Sequence, residues 1–459
     1  MRVIIEKPRL VIASYKGKVG KTIATLAIAM ALIKAGYRVS MFKVGPDFID
    51  PSYHTTLTGK PSRNLDYVLM GRDGIIRRFY KYSTNSDVAI IEGVSGLYDS
   101  VDGITEDGST AQVAKLLGAP VILVINGERI NRTVRALIRG LRSFDPGTKI
   151  VGAVLTNVNQ RQIDKLSRAV EEEGLELVGF IPRSDDIEEL MQYRHLGLIH
   201  AQEMDRARIV SVINEASKYI NADKLMRLAR EGEPITAEVA GTEMDYTYPG
   251  STGVRIGIVM GRAFTFYYPE TIERAQQLGS VKFLDPEIDQ GIDDVDLIII
   301  GGGFPEVYGQ YLERNRAFRG DLRRFIDKGG YVYAECGGLM YLTSSIVYNN
   351  EEYEMVGAID AVTIMHRKPV WYGYATARVI RDAPIGGPGT ILRGHEFHYS
   401  SIILRGKYEM VIKYERGAGI NGLDGILINN AYAHYLHIHP ETYDVLSHIL
   451  SYMRINGNR

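Results

Sequence analysis

Tyr331-Val332-Tyr333-Ala334-Glu335-Cys336-Gly337-Gly338-Leu339-Met340 holds the only cysteine among 459 residues and reads as a strand, a one-residue bend and a helix start. The apolar run ends at Glu335, Cys336 falls where the chain must turn sharply, and two glycines let the backbone pass closely before a helix that begins at Leu339. This is the layout of a nucleophile elbow. A thiol on such a bend is expected to be exposed, to point away from its sheet, and to lie near helix N-terminal amides that favour the thiolate. An isolated cysteine is otherwise a small buried hydrophobe. The flanking glycines and the histidines described below turn the reading toward reactivity.

Upstream of the elbow, Val254 to Met260 and Leu297 to Ile300 are compact strand-type runs, with helical spacing at Pro269 to Leu278 and at Asn315 to Lys328. Downstream come short aromatic strands at Tyr353 to Ala358, Trp371 to Val379, Glu396 to Leu404 and Tyr408 to Tyr414. The combination predicts an open mixed sheet with antiparallel additions at one edge. An earlier series alternates apolar runs (Arg9 to Ala13, Arg38 to Phe42, Val88 to Ile91, Val121 to Ile125, Ile150 to Leu155) with helices such as Thr22 to Lys34 and Arg129 to Leu141. That rhythm predicts a parallel sheet with helices on both faces. Ile187 to Glu231 reads as mostly helical, and the stretch from Gly232 to Gly253 is polar and rich in breakers. The expected organisation is therefore a first domain over 1–231, a linker over 232–253 and a second domain over 254–459.

The 54 basic residues nearly balance the 55 acidic ones, so no general field draws nucleic acid or an anionic membrane. Phosphate binding must come from local loops, and the expected partners are small molecules. One cysteine forms no internal disulfide, the start Met1-Arg-Val-Ile-Ile5 lacks an export-signal pattern, and no apolar stretch approaches membrane-spanning length. A cytoplasmic protein is expected.

One such loop stands between the first strand and the first helix, as Ser14-Tyr15-Lys16-Gly17-Lys18-Val19-Gly20-Lys21-Thr22. Amides of a glycine-rich turn point inward at phosphate, Lys21 can reach the outer phosphates and Thr22 can ligate magnesium. Tyr15 stands where the usual first glycine falls, so the loop resembles the deviant form, in which an extra lysine, here Lys16, precedes the glycines. ATP is the expected nucleotide, held by Lys16, Gly17, Val19, Gly20, Lys21 and Thr22. Two acidic clusters follow later strands: Asp47 and Asp50 in Lys43-Val-Gly-Pro-Asp-Phe-Ile-Asp-Pro, and Glu92 and Asp99 in Glu92-Gly-Val-Ser-Gly-Leu-Tyr-Asp. Residues just beyond the carboxyl ends of parallel strands converge on one crevice. Carboxylates there can hold Mg2+ against ATP phosphates, with Thr22, Glu92 and Asp47 as the expected ligands.

PheLysValGlyProAspPheIleAspPro, GluGlyValSerGlyLeuTyrAsp, GlyGlyGlyPheProGlu, AlaGluCysGlyGlyLeuMetTyrLeu and ArgGlyHisGluPheHisTyrSer, in this order, resemble the cobyrinate a,c-diamide synthases over nearly the whole chain. The resemblance implies an α/β protein: a P-loop NTPase-like, dethiobiotin-synthetase-like ATP domain, then a class I-like glutamine amidotransferase domain. It implies ATP- and glutamine-dependent amidation of the a and c acetates of a corrin-type tetrapyrrole acid. It also links Asp47, Asp50, Glu92 and Asp99 to ATP, magnesium or macrocycle handling, and its Tyr-Leu-His pattern selects His437 as the partner of Cys336.

The spacing His439-Pro440-Glu441 competes with that choice, because an ordinary His-Pro-Glu motif would make His439 the base and Glu441 its orienter. On an extended segment His437 and His439 share a face, so both stay open. Amides near Gly337 and in Gly301-Gly302-Gly303 are the expected oxyanion donors. His395 and His398 have a spacing found in some zinc sites, without a clear third ligand. Two other readings stand beside the main one. The first is the same diamidation of nickel-sirohydrochlorin; the more distant cobyric acid synthase, which amidates other side chains, lacks the phosphate-loop acid pattern of this first domain. The second, of a different class, is a deviant-loop ATPase switch that forms a homodimer around ATP through Lys16 and carries an inactive glutaminase-like domain.

Overall fold

The computed structural model describes residues 2–191, 193–194, 197–238 and 253–457. The chain divides into two compact units, Met1–Asp245 and Tyr246–Arg459. Among the described residues, the first unit carries a seven-stranded sheet whose strands lie in the order Arg63–Leu65, Val39–Val44, Val88–Glu92, Arg9–Ser14, Val121–Asn126, Ile150–Val158 and Glu176–Pro182. All of its pairings are parallel. The sheet is covered on both faces, and this explains why Leu10, Val11 and Ile12 are fully buried in succession, a continuous apolar run in place of alternation. The helix Lys21–Lys34 is likewise buried at every residue from Ile23 to Leu32. The chain order reverses beside Arg9–Ser14, so the crevice at its carboxyl end is the place such sheets use for ligands.

The second unit carries a ten-stranded sheet in the order Gly279–Leu284, Val254–Val259, Leu297–Ile300, Tyr331–Glu335, Ala431–His434, Leu423–Ile428, Met410–Arg416, Trp371–Val379, Ile391–His398 and His437–Ile438. The first five are mutually parallel and the remainder pair antiparallel, the mixed sheet expected. Only Tyr435 and Leu436 separate the strand ending at His434 from the one starting at His437. The antiparallel row therefore has to curl back, which returns His437 toward the elbow. A four-stranded sheet of Glu351–Glu354, Thr343–Tyr348, Ile359–Met365 and Ser400–Leu404 completes the unit.

Some local expectations change. The run Glu396 to Leu404 is split: Ile391–His398 belongs to the large sheet and Ser400–Leu404 to the small one, because the chain changes sheets at Tyr399. The helix expected from Arg129 begins at Thr133, since Arg129 has φ +53° and cannot start it. Within Ile187 to Glu231, Tyr193–Arg194 and Gly197–Leu198 pair as a short ribbon. Of the breaker-rich stretch 232–253, Ile235–Glu238 pairs antiparallel with Arg2–Ile5, and residues 239–252 lie outside the described residues. Among the described residues no helix is long and apolar enough to cross a membrane.

Candidate functional site

Each unit gathers chemistry at the carboxyl ends of its parallel strands. In the second, the strand Tyr331–Glu335 delivers Cys336 into a bend with φ +47° and ψ −100°, and a helix follows at once over Gly337–Leu342, two residues earlier than expected. A side-chain-bearing residue held in such a sparsely populated conformation costs about 1–3 kcal/mol, so the surroundings must fix it. The Cys336 amide donates to the His434 carbonyl at 2.7 Å, and its own carbonyl accepts from the Met340 amide at 3.0 Å.

The expected exposure of the thiol is corrected: Cys336 keeps 5% of its surface. The loop 301–303 closes over the bend, so near that a β-carbon on Gly337 would lie 2.9 Å from the Gly303 amide nitrogen. Gly303 itself has φ +152°, and a β-carbon there would lie 2.2 Å from the Ala263 carbonyl, so glycine is required.

The enclosed thiol has an imidazole partner, because His437 hydrogen-bonds to Cys336. Burial opposes charge on this ring, but Cys336 and Glu335 outweigh it and raise its pKa to about 10. Nδ1 of His437 lies 3.3 Å from Glu335 Oε2, which leaves Nε2 for the sulfur. The ring edge packs on Gly302, where a β-carbon would meet Cε1 at 2.5 Å.

His439 has other company. Its Nδ1 accepts from the Glu441 amide at 3.0 Å, its Nε2 is 3.8 Å from Glu270, and its ring lies 4.3 Å from that of Tyr268. The two histidines do not share a setting, because the strand ends at Ile438 and the chain turns through Thr442, whose amide donates back to the His439 carbonyl.

His395 stacks on His437 at 4.9 Å and 16°. His398 stacks on Tyr435 at 3.8 Å and donates from Nδ1 to the Ser400 carbonyl. Burial pushes the pKa of His395 well below its ordinary value and that of His398 to about 4. Among the described residues no three His, Cys, Asp or Glu side chains are grouped to hold a metal.

In the first unit the phosphate loop is shaped by Lys18 at φ +59° and Gly20 at φ +87°. Thr156, from the strand Ile150–Val158 two places along the sheet, buttresses it by donating to the Val19 carbonyl at 2.7 Å. Val19 is buried, while Lys16, Gly17 and Lys18 are exposed. Lys21 donates to the Ser95 carbonyl at 3.0 Å, and burial, with Lys43 nearby, lowers its pKa to about 8.

Thr22 Oγ1 donates to Glu92 Oε1 at 2.9 Å and lies 3.3 Å from Asp50 Oδ1. Asp47 Oδ1 caps the next helix, accepting from the amides of Ile49 and Asp50. The carboxylate that joins Glu92 at Thr22 is thus that of Asp50, and Asp47 stands farther back. Asp99 is exposed and holds its own turn through the Gly96 amide at 2.6 Å.

Sequence reasoning assigned no role to Lys43 or His54. Lys43 is buried among the acids, bonded to Asp50 at 2.5 Å and the Gly93 carbonyl at 2.9 Å, and 3.6 Å from both Asp47 and Glu92. Burial works against its charge, yet the three carboxylates raise its pKa above the ordinary value. His54 spans from Ser62 at 2.9 Å to Glu92 Oε2 at 2.8 Å. Burial together with Glu92 raises Asp50 to about 8, whereas Lys43 and His54 overcome burial and hold Glu92 low. A lysine inside the buried strand Val39–Val44, and a histidine one helical turn after Asp50, were the available signals. The oxygen-only set of Thr22, Asp50 and Glu92 fits magnesium, which binds few protein ligands and keeps water or phosphate on its other positions.

Residues 10–196 match the model of the CobQ/CobB/MinD/ParA nucleotide binding domain, and residues 255–444 that of the CobB/CobQ-like glutamine amidotransferase domain. The cobyrinate a,c-diamide synthase of Archaeoglobus fulgidus is 40% identical over 437 residues, 94% of each chain. The chain belongs to the cobyrinate a,c-diamide synthase family. The synthase of that name from Methanosarcina acetivorans is 38% identical over 96% of this chain and 94% of its own, and that of Listeria monocytogenes 34% over 94% and 96%. The family is one of ligases, so the chain is an enzyme with an α/β nucleotide-binding domain followed by an α/β glutamine amidotransferase domain.

Proposed function

We propose that this enzyme amidates the a- and c-acetate carboxylates of cobyrinate, using ATP and glutamine. The reading is carried by the hydrogen bond between Cys336 and His437 at the strained elbow, in a chain that also holds a lysine–carboxylate crevice behind a phosphate loop.

A carboxylate does not exchange oxide for ammonia in water. Transfer of the terminal phosphoryl group of ATP to it gives an acyl phosphate, from which ammonia displaces phosphate. Lys21 and the loop amides bind and orient the phosphates. Thr22, Glu92 and Asp50 would hold Mg2+, which when bound offsets phosphate charge. Lys43 and His54 keep Glu92 ionised and fixed for that work.

In the second domain the Cys336 proton passes to His437 Nε2 and the sulfur attacks the glutamine amide carbon. Amides at Gly337, Gly302 and Gly303 would bind the resulting oxyanion. His437 then protonates the departing ammonia, and water releases glutamate from the thioester. The partners are small molecules, namely a tetrapyrrole acid, L-glutamine and ATP, and the setting is cytoplasmic.

Incubation with ATP, Mg2+ and glutamine, with cobyrinate and nickel-sirohydrochlorin offered separately, tests the reading. Mass spectrometry should find two oxygen-for-nitrogen exchanges on cobyrinate. Modification of nickel-sirohydrochlorin alone would move the assignment to that macrocycle, and modification of neither would refute it.

A further inference from the structure

Glu335 has no part in the steps above, yet it is the acid best placed to control His437. Its Oε1 accepts from the Tyr333 hydroxyl at 2.5 Å and from the Ile438 amide at 3.4 Å, while Oε2 faces His437 Nδ1 at 3.3 Å. Tyr333 and Glu335 stand two apart on one strand and so share a face. Tyr333 is also 3.1 Å from His434 Nε2, and His434 is the register partner of Glu335 on the adjacent strand. The carboxylate is therefore held by sheet pairing on one side and by a hydroxyl on the other.

We propose that Glu335 is the positioning residue for His437, so that the third member of the glutaminase set comes from the position before the nucleophile. The inference rests on the glutaminase reading given above. With Oε1 taken by Tyr333 and the Ile438 amide, Oε2 is the acceptor that fixes the Nδ1–H tautomer and turns the Nε2 lone pair toward sulfur. Glu441 meets a different ring, through its amide on His439.

Among the groups around His437, Glu396 is a second carboxylate that acts on its charge, and the rings and hydroxyls beside it are neutral. Burial pushes His434 and His398 to about 4 and His395 well below its ordinary value, so the rings from the adjoining strands are neutral near pH 7. Burial also drives the Tyr333 and Tyr435 hydroxyls well above their ordinary range, so both keep their protons. Glu396 is tied by the amides of Ala418 at 2.8 Å and Gly419 at 3.0 Å, and burial raises its pKa. When the sulfur proton moves to Nε2, Glu335 stabilises the imidazolium without itself taking a proton.

The test is Glu335→Gln in the full-length enzyme, read in two ways. Glutaminase kcat should fall about a hundredfold or more, as expected when a base loses its tautomer-fixing carboxylate, with the KM for glutamine within about twofold because Glu335 fixes the base and not the substrate. The pH profile for alkylation of Cys336 by iodoacetamide should move to higher pH, because the thiolate–imidazolium pair loses its counter-charge. Glu335→Asp should recover part of both effects. A purely structural role would lower the yield of folded enzyme and leave the profile in place.

Folded Glu335→Gln with wild-type kcat and profile overturns the proposal. If that variant does not fold, Tyr333→Phe decides, with a smaller shift in the same direction expected and an unmoved profile overturning it. A wild-type enzyme that hydrolyses no glutamine would refute the glutaminase reading, while the alkylation profile would still report on Glu335.

Discussion

The two reaction centres place their chemistry in the same way and prepare it in opposite ways. In the first unit, Lys43 lies within 3.6 Å of Asp47, Asp50 and Glu92, and the same three carboxylates act on the charge of Lys21. In the second, one imidazole and one carboxylate stand at the thiol, surrounded by histidines that burial keeps neutral. A centre that must receive a polyanion needs several compensating charges, because each arriving phosphate redistributes charge among its partners. A centre that must activate a thiol before substrate arrives needs a single fixed pair, and the strained bend at Cys336 supplies the fixity.

The largest effect should come from Cys336→Ser. Synthesis with glutamine should fall by three orders of magnitude or more, about the range for loss of a nucleophile, while synthesis with added ammonia persists. Equal loss with both nitrogen sources would erase the contrast between the two centres, since the sulfur would then be needed for the ATP-driven step.

The converse test is Lys43→Met. Without the buried ammonium, Asp50 and Glu92 keep only Lys21 and His54 against their charge, and breaking such a pair costs about 3–5 kcal/mol. The first unit should lose stability, and synthesis should fall about a hundredfold or more with glutamine and ammonia alike, an effect on the scale of lost electrostatic groups. Glutamine hydrolysis measured alone should change far less. Normal ammonia-dependent synthesis would mean that the lysine serves folding only.

A smaller and more local effect is expected from Gly302→Ala. The added methyl would lie 2.5 Å from His437 Cε1, and that ring is backed by His395 at 4.9 Å, so it has little room to retreat. Displacing a catalytic ring by a few tenths of an ångström to one ångström costs roughly ten- to a hundredfold. The loss should appear in glutaminase kcat and not in ammonia-dependent synthesis. An unaltered kcat would mean that the loop 301–303 is free to yield.

How legible these centres were in the sequence differs for the same physical reasons. The elbow was readable because a strand, a bend and two glycines leave few other conformations, and the phosphate loop because strand, glycines and helix occur in order. The enclosure of Cys336 was not readable, since it depends on a loop more than thirty residues upstream folding over Gly337. The choice between His437 and His439 turned on where a two-residue strand ends, which no periodicity reports. Lys43 lay inside a motif already noticed, but only the pairing of Val39–Val44 beside Val88–Glu92 brings it to Glu92. The break at Tyr399 was hidden because a strand that changes sheets keeps its alternation.

The smallest expected effect is thermodynamic. His437 titrates near 6.5 when unfolded and at about 10 when folded. The folded imidazole therefore holds a proton that the unfolded imidazole has released, and its contribution, taken by itself, is complete below pH 6.5 and lost as pH rises toward 10. His434 and His398, at about 4, act in the reverse sense: between pH 6.5 and 4 the unfolded chain binds protons the folded one refuses, so stability falls as pH drops through that window. The two slopes oppose each other on either side of pH 6.5 in the thermal unfolding of the second unit, and the buried Asp424, raised to about 7, works against the acid one. Cys336→Ser removes one of the two groups that raise His437, so the alkaline slope should flatten while the acid slope stays. An alkaline slope identical in the two proteins would show that the imidazole does not depend on the sulfur, and the fixed pair on which the contrast between the centres rests would then be Glu335 with His437 alone.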